Sequence, residues 1–193
     1  MTLTLASQSP RRKALLTQLG LTFTVRVADI DETMTPGTAP EDAVAEVSAR
    51  KAHAVAADAA PDQVIIAADT IVVIDGRILG KPHSPEGAAE MLRTLSGRTH
   101  QVMTGVTVLR GGRQETVTEI SRVSFRPLTE GEIAAYIATG DPMDKAGSYG
   151  VQGLAAAFVE RIDGDYFNVM GLPLCRLTGM LRRFGVTVLG EKG

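Results

Sequence analysis

One carboxylate interrupts the most apolar stretch of the chain. Asp69 and the adjoining Thr70 lie between residues 64–68 and 71–74, which are all aliphatic. Continuous apolar runs of this kind are typical of strands buried on both faces, where an unpaired charge is costly. Two interpretations therefore stand. Either a strand ends here and Asp69 caps a turn, or Asp69 faces a cleft, where it holds a metal ion or orients a water molecule.

A second group of carboxylates lies upstream. Asp29, Asp31 and Glu32 follow a short segment of alternating character and precede a predicted helix. Glu32, with its acidic neighbours, is a second candidate for a functional carboxylate. The alternative is an acidic loop that is simply solvated by water, which is the more frequent case, and the sequence leaves both open.

The first helix begins at a position that suits an anion. Ser9 is a good N-cap and Pro10 fits the first helical position, where no N–H is needed. Arg11 and Arg12 then occupy the first turn, beside the unpaired amides and the positive end of the helix dipole. Cations are unfavourable there unless an anion joins them, so the segment predicts a phosphate site. The alternative is a capped helix with two solvated arginines.

Two lysines and a glycine-rich segment extend the list of polar candidates. Lys51 lies on a predicted helix, where an ordinary solvated surface lysine is the alternative. Lys81 follows Gly80, but the glycine spacing and the proline at position 82 differ from a P-loop. Residues 144–153 contain three glycines at intervals of three, which allow the backbone to approach a ligand, and include Gln152 as a two-way hydrogen-bonding group.

Several chemistries have little support. His53, His83 and His100 lie far apart and have no ligand spacing typical of zinc. The chain contains no Gly-x-Ser-x-Gly motif, and its single cysteine, Cys175, is predicted to be a small buried hydrophobe. Cations and carboxylates without a nucleophile remain. They suit the attack of water on a phosphate compound with a divalent metal ion.

Composition narrows the class of partner. The 193 residues suit one domain, 1–193, and carry a formal net charge of −2, with three tyrosines, five phenylalanines and no tryptophan. Such a chain is not a general nucleic-acid binder, although a small anion remains possible. No apolar run approaches the roughly 20 residues of a membrane span, and the start lacks the features of a signal peptide. We expect a cytoplasmic protein.

The elements that must position these residues alternate between helices and strands. Serine caps at Ser9 and Ser84, capping boxes at Thr38 and Thr129, and Gly and Pro signals predict helices over residues 10–19, from 38 onward, 84–95, 129–140 and 173–184. Strands are predicted over residues 21–27, 64–74, 77–79, 99–109, 115–125, 155–162 and 186–189, and an Asp75-Gly76 turn separates the second from the third. Strands and helices alternate at both ends, whereas the middle strands pair as a hairpin. The pattern predicts an α/β fold with a mixed sheet.

Six segments, in this order, resemble those of one known family. They are residues 7–12 (SQSPRR), 68–72 (ADTIV), 80–82 (GKP), 96–102 (SG followed by HQV), 144–153 (DKAGSYGVQG) and 168–173 (NVMGLP). Together they resemble the Maf family of nucleoside triphosphate pyrophosphatases. The resemblance covers nearly the whole chain, and the segment 144–153 is similar to the branch that acts on dTTP and UTP.

The resemblance implies a fold and a reaction. The fold would be inosine-triphosphatase-like, an elongated two-lobed mixed sheet flanked by helices with a central cleft. The reaction would be metal-dependent hydrolysis between the α and β phosphates of a nucleoside triphosphate, giving a nucleoside monophosphate and pyrophosphate. The cofactor would be Mg²⁺ or Mn²⁺ and the partner a small nucleotide, with neither nucleic acid nor membrane involved. The family also leads us to expect a homodimer.

The resemblance also implies roles for individual residues. Asp69 would be the proton acceptor and, with Glu32, would hold the metal ion. The remaining positions would contact the substrate: Arg11, Thr70 and Gln152 as specificity positions, and Ser9, Arg12, Lys51 and Lys81 as polar groups around the phosphates.

Two alternatives accompany this reading of the chain. The same reaction could act on another nucleotide, such as 7-methyl-GTP or dITP. A nucleotide-sensing regulator of cell division would belong to a different class, since the family has an old association with septum formation.

Overall fold

The computed structural model describes residues 2–190 and contains both helices and strands in alternation. The helices are α1 (Pro10–Gln18), α2 (Pro40–Ala56), α3 (Pro85–Leu95), α4 (Glu130–Ala138), α5 (Tyr166–Met170) and α6 (Leu174–Arg183). The strands are β1 (Leu3–Leu5), β2 (Thr24–Val25), β3 (Val64–Ile74), β4 (Arg77–Leu79), β5 (Thr99–Arg110), β6 (Arg113–Phe125) and β7 (Val159–Asp163). The predicted α/β class is confirmed.

The strands form a seven-stranded mixed sheet in the order β2-β1-β3-β5-β6-β7, with β4 paired to β3. Strand β1 runs parallel to both β2 and β3, with Leu5 opposite Ile66. The pairs β3–β4 and β6–β7 are antiparallel. Parallel pairing near the start and hairpins in the middle agree with the sequence pattern.

Strand β3 carries Asp69 in its interior. The strand pairs with β1 over residues 64–66 and with β4 over residues 72–74, so Asp69 lies between the two pairings. Asp69 and Thr70 are the half-buried positions in an otherwise buried strand. The interpretation in which a strand ends at Asp69 is therefore wrong, because the backbone remains extended through it.

The chain divides into two compact units. The first comprises the described residues up to Asp69, Thr104–Glu119 and the residues from Gly171 onward, and the second comprises Thr70–Met103 and Ile120–Met170. A core cluster in the first unit includes Ala52, Ile65 and Leu109. That of the second contains several aromatic rings, including Phe125, Tyr136, Tyr149 and Phe158. That residues 1–193 act as one domain stays a prediction.

Helix α2 lies unusually close to β5 in the first unit. A Cβ atom added to Gly105 would lie 2.4 Å from the carbonyl oxygen of Val44, so only glycine fits there. One turn later, the Ser48 hydroxyl lies 2.7 Å from that of Thr107. Contacts of this kind fix the helix against the sheet, and with it the position of Lys51 one turn further on.

Local signals at most helix ends are confirmed. Ser9, Ser84 and Thr129 each accept a hydrogen bond from a backbone amide of the first turn, and Thr129 forms the predicted capping box with Glu132. The capping box predicted at Thr38 is wrong. The N-cap of α2 is the following residue, whose side chain makes no capping hydrogen bond, since proline occupies the next position and sets the start of the helix.

The predicted last strand is also wrong. Residues 186–189 form neither helix nor strand, and the Val186 amide donates to the Leu181 carbonyl instead, at 2.9 Å. Residues Leu154–Phe158 form a 3₁₀ helix, so the strand predicted over residues 155–162 begins only at Val159, as β7. The strand predicted over residues 21–27 is shorter in the structure, where it is β2. Helix α5 was not predicted.

The expectation that Cys175 is buried is wrong as well. Cys175 is exposed on α6. Leu174, Leu177 and Leu181 lie on the buried face of that helix, and the next position along the chain from Leu174 turns away from it. Among residues 2–190, no helix is long and apolar enough to cross a bilayer.

Candidate active site

Three charged side chains meet beside β3 in the first unit. The Lys51 amine donates a hydrogen bond to Oδ1 of Asp69 at 2.7 Å and lies 3.0 Å from Oε1 of Glu32. The Lys51 side chain is 9% exposed, that of Asp69 13% and that of Glu32 55%. One buried cation therefore joins a carboxylate of the sheet to a carboxylate of the acidic loop.

The position of Lys51 excludes the interpretation as a solvated surface lysine. Its side chain extends along the buried face of α2, where Ser48 and Val55 are also buried. A buried ammonium group is tolerated only where it has ionic and hydrogen-bonding partners. Asp69 and Glu32 supply them. Asp69, which needs a partner because it lies within an apolar strand, pairs with Lys51, 18 residues upstream.

Ser9 organises the start of α1. Its hydroxyl accepts a hydrogen bond from the Arg12 amide at 3.4 Å, and its own amide donates to the Ser7 hydroxyl at 3.2 Å. Pro10 has no N–H and the Lys13 amide donates to the Ser9 carbonyl oxygen at 3.2 Å, so the Arg11 amide is the first-turn N–H to which the helix itself offers no acceptor. The predicted capped helix start is thus confirmed, and its binding of an anion stays a prediction.

The two arginines of the first turn differ. Arg11 is half-buried, whereas Arg12 is buried and its Nε donates to the carbonyl oxygen of Gly171 at 2.8 Å. Its Nη1 donates to the Ser7 hydroxyl at 3.3 Å. The interpretation in which both arginines are solvated is therefore wrong for Arg12, which ties α1 to the segment before α6.

Arg12 also belongs to the electrostatic environment of the carboxylates. Burial lowers the pKa of its guanidinium from the ordinary value. The negative charges of Asp69 and Glu32 oppose that shift, whereas the positive charge of Arg11 adds to it. An arginine remains charged under all such conditions. The first unit thus gathers Ser9, Arg12 and the Glu32–Lys51–Asp69 cluster around one region of mixed charge.

The remaining candidates belong to the second unit. Thr70 directly follows Asp69 on β3 and is half-buried. Lys81 is exposed in the segment after β4, and Gln152 is exposed in the loop of residues 141–153. The amide of Gly147 in this loop donates to the carbonyl oxygen of Gly80 at 3.0 Å, which ties the loop to the residue before Lys81.

The loop of residues 141–153 packs closely on the second half of β3. Gly147 has a φ of 66°, and an added Cβ would lie 2.8 Å from Cγ2 of Val72. Both its backbone conformation and its contact therefore require glycine. Gly147 thus brings the loop against the sheet, and the approach of this glycine-rich backbone to a ligand stays a prediction.

Tyr136 of α4 holds the two ends of the same loop. Its hydroxyl donates to Oδ2 of Asp141 at 2.8 Å and accepts from the Gly150 amide at 3.3 Å. Lys145 donates to Oδ1 of Asp141 at 3.0 Å and to Oδ1 of Asp144 at 2.7 Å. Burial and the neighbouring carboxylate of Asp141 raise the pKa of Tyr136, so the hydroxyl keeps its proton. Sequence reasoning missed this role, since Tyr136 looks like an ordinary apolar position of an amphipathic helix.

A buried histidine also contacts this loop. His100 of β5 lies 2.8 Å, through Nε2, from the hydroxyl of Tyr149, and its ring packs edge-on against Phe125 with centroids 5.1 Å apart. Burial lowers the pKa of His100 to about 4, so the ring is neutral near pH 7. The neutral ring belongs to the aromatic packing of the second unit and makes one hydrogen bond, to the Tyr149 hydroxyl.

The carboxylates suit a magnesium or manganese ion whose remaining ligands come from water and substrate. Within the part of the chain that the structure describes, no cluster of three or more His, Cys, Asp or Glu side chains could hold a metal. Glu32 and Asp69 nevertheless lie on the same lysine amine. Mg²⁺ is commonly held by one or two carboxylates together with waters and substrate phosphates, so this donor set fits such an ion.

Comparisons with known proteins bear on the family and on the fold. The family model described as "Maf-like protein" matches residues 2–184. The dTTP/UTP pyrophosphatase of Pelotomaculum thermopropionicum is 51% identical over 96% of this chain and 97% of its own. That of Moorella thermoacetica is 52% identical over 98% of both chains. The solved Ham1 protein of Staphylococcus aureus has a TM-score of 0.53 at 14% identity, over 95% of this chain and 99% of its own, which bears on the fold alone. The family model covers all six of the segments that carry the resemblance, and the chain therefore belongs to the Maf-like protein family.

Proposed function

We propose that this protein hydrolyses nucleoside triphosphates between the α and β phosphates, with dTTP and UTP, and modified pyrimidine nucleotides, as its substrates. Water adds to phosphorus, the α–β bridging bond breaks, and the products are a nucleoside monophosphate, pyrophosphate and a proton. Eight relatives that cover nearly the whole chain at 47–53% identity carry the name dTTP/UTP pyrophosphatase, which supports this substrate class.

The observation that carries the proposal is the pairing of Asp69 with Lys51. A carboxylate in the interior of a buried strand is fixed through Oδ1 by a lysine amine at 2.7 Å, while its side chain keeps some exposure. In the proposed reaction Asp69 accepts the proton of the attacking water. Lys51 fixes the carboxylate for that task by holding one of its oxygens.

Several groups are proposed as partners of the phosphate groups. The Ser9-capped start of α1 offers the Arg11 amide and the positive end of the helix dipole, and the Arg11 guanidinium beside them is half-buried. Lys81, one of several exposed cations of the second unit, is a further proposed phosphate contact. Arg12 contributes positive charge, although its hydrogen bonds to Gly171 and Ser7 assign it to positioning α1.

A divalent cation, Mg²⁺ or Mn²⁺, is the proposed cofactor, held by Glu32 and Asp69. When bound, it would neutralise negative charge on the phosphates. Thr70, Arg11 and Gln152 are the proposed specificity positions. Gln152 suits a pyrimidine base because its amide both donates and accepts hydrogen bonds. The Tyr136 hydroxyl fixes the loop that carries it.

The setting of the reaction is also part of the proposal. We expect a cytoplasmic enzyme whose partner is the small nucleotide, without a nucleic-acid or membrane partner, and which functions as a homodimer. Gel filtration with light scattering tests the dimer. An absence of salt-sensitive binding to DNA or RNA is expected, in keeping with the net charge of −2.

The decisive experiment is product analysis. The protein is incubated with a panel of pyrimidine and purine nucleoside triphosphates and with Mg²⁺ or Mn²⁺, and the products are identified by ion-exchange chromatography. The proposal expects monophosphate and pyrophosphate, fastest with dTTP and UTP. Release of orthophosphate would contradict the choice of bond, and a preference for 7-methyl-GTP or dITP would contradict the choice of base.

Asp69→Asn tests the role of the carboxylate. Loss of a general base lowers turnover by roughly 10²- to 10⁴-fold, whereas the nucleotide should still bind, as calorimetry measures. Asp62→Asn is the matched control, since it removes an exposed carboxylate just before the same strand. An active Asp69→Asn variant would remove Asp69 from the role of proton acceptor.

A further inference from the structure

We propose that Arg50 is a positioning residue that holds Glu32 in place for the metal ion. The inference rests on the proposed function, because it concerns one of the two carboxylates assigned to the cation. It assigns a role to a residue that the sequence pattern does not single out.

Arg50 grips the backbone on both sides of Glu32. Its Nη1 donates to the carbonyl oxygen of Asp31 at 2.8 Å, and its Nη2 donates to the carbonyl oxygen of Thr33 at 2.7 Å. Two nitrogens of one planar guanidinium thus bind the residues immediately before and after Glu32. Both distances lie in the range of strong hydrogen bonds from a charged donor to a carbonyl oxygen.

The segment that carries Glu32 needs such a grip. Residues 26–39, all of which the structure describes, form neither helix nor strand. Within it, Asp31 accepts a hydrogen bond from the Thr33 amide at 2.8 Å, which forms a local turn around Glu32. A turn of this kind sets the local backbone shape but does not fix it relative to the sheet. The guanidinium of Arg50 connects it to α2.

Two consecutive residues of α2 hold Glu32, one through the neighbouring backbone and the other through the carboxylate. Arg50 binds the flanking backbone, and Lys51 binds the carboxylate at 3.0 Å while also binding Asp69. Helix α2 is itself fixed against β5 by the close contact at Gly105. The separation of the two carboxylates is therefore set by a rigid element, although Glu32 lies on an irregular loop.

The chemistry of arginine matters at this position. A guanidinium presents several N–H groups in a fixed plane and can bind two carbonyl oxygens at once, whereas a lysine amine on a flexible stem binds them less selectively. Loss of the two guanidinium hydrogen bonds leaves the backbone around Glu32 without its connection to α2. Glu32, with a side chain that is 55% exposed, then moves away from Asp69, and the affinity for the metal ion falls.

The test measures metal binding without turnover. Wild-type protein, Arg50→Met and Arg50→Lys are each mixed with a non-hydrolysable dTTP analogue that has a methylene bridge between the α and β phosphates, and Mn²⁺ binding is followed by electron paramagnetic resonance. We expect Arg50→Met to weaken Mn²⁺ binding about 10-fold, as loss of groups that orient metal ligands commonly does. Arg50→Lys should lie between the two. Hydrogen exchange over residues 31–33 should accelerate.

Two controls separate this role from general stability. Arg113→Met removes another arginine of the first unit that donates to a backbone carbonyl, that of Arg183 at 2.8 Å, and should leave Mn²⁺ binding unchanged. In a Glu32→Gln background, Arg50→Met should have no further effect on Mn²⁺ affinity, because it acts through Glu32. Unchanged affinity in Arg50→Met, or an equal loss in the Glu32→Gln background, overturns the inference.

Failure of the proposed function gives a different result. If the wild type hydrolyses no nucleotide yet Arg50→Met weakens Mn²⁺ binding only when Glu32 is present, the positioning role stands without the reaction. If the wild type releases pyrophosphate and Arg50→Met binds Mn²⁺ normally, the reaction stands and the positioning role is overturned.

Discussion

The amine of Lys51 lies between Asp69 and Glu32, 2.7 Å from one carboxylate and 3.0 Å from the other. A single buried cation thus neutralises two acids that belong to different elements, a strand and an irregular loop. Its removal leaves two negative charges facing one another, with the less exposed one, Asp69, deprived of its hydrogen-bond donor.

Lys51→Met should therefore reduce both stability and activity. We expect a loss of about 1–3 kcal/mol in the free energy of unfolding of the metal-free protein, as for a charged group left unpaired and partly buried. Turnover should fall at least about 10-fold, because Asp69 loses the contact that orients it. Urea unfolding and steady-state kinetics measure the two effects. Lys13→Met, which removes a cation from α1, should change stability by no more than about 0.5 kcal/mol; equal stability of the two variants would contradict the prediction.

The adjacent arginines of α1 should respond differently to substitution. Arg12→Lys replaces a fork that binds both Gly171 and Ser7, and leaves the buried carbonyl oxygen without a well-placed partner. We expect a loss of about 1–2 kcal/mol of unfolding free energy. Arg11→Ala should hardly change stability, yet weaken turnover or nucleotide discrimination, because it removes the half-buried guanidinium from the helix start.

Denaturation midpoints and the ratio of kcat/KM for dTTP over a purine triphosphate test the pair. An unstable Arg11→Ala variant with full activity per folded molecule would mean that Arg11 is a structural residue.

The two arginines also illustrate what the sequence could reveal. Signals within a few residues of one another were read correctly: the Ser9 cap, the Thr129 capping box and the Asp75-Gly76 turn, in which both residues have positive φ. The burial of Arg12 depends on Gly171, which lies 159 positions away. No local pattern distinguishes it from Arg11.

The same distinction explains the errors of the sequence reading. Residues 186–189 have the composition of a strand, but the Val186 amide finds its acceptor in α6 rather than in the sheet. Cys175 fits a helical apolar pattern, yet it lies beside the buried face of α6 rather than on it. Asp69 was recognised as unusual because its apolar context is local, whereas its partner Lys51 could be identified only from the fold or from a family resemblance.

Tyr136→Phe should alter both substrate choice and stability. The ring remains packed against Phe158, with centroids 5.3 Å apart, while the hydroxyl contacts to Asp141 and Gly150 are lost. The loop that carries Gln152 then becomes less ordered. We expect the preference for dTTP over a purine triphosphate to fall several-fold, with a loss of about 1–2 kcal/mol of unfolding free energy.

Tyr149→Phe is the matched control for that variant. It removes a tyrosine hydroxyl from the same core cluster, but one that contacts His100 of β5 rather than both ends of the loop. A comparable loss of stability with unchanged discrimination is expected. If both variants change discrimination equally, the effect arises from the core as a whole and not from the Tyr136 hydroxyl.

His100 should make the protein less stable in mild acid. Burial lowers the pKa of its imidazole from 6.5 to about 4 in the folded protein, whereas the unfolded chain keeps the ordinary value. Between these two values the unfolded state binds a proton that the folded state does not, so stability falls as the pH falls from 6.5 towards 4. The slope is about 1.4 kcal/mol per pH unit, and the total is about 3 kcal/mol. Chemical unfolding of wild type and His100→Gln across this range measures the effect. The wild type should lose stability more steeply, because glutamine can still meet the Tyr149 hydroxyl and does not titrate, and parallel pH profiles would show that the histidine titrates alike in both states.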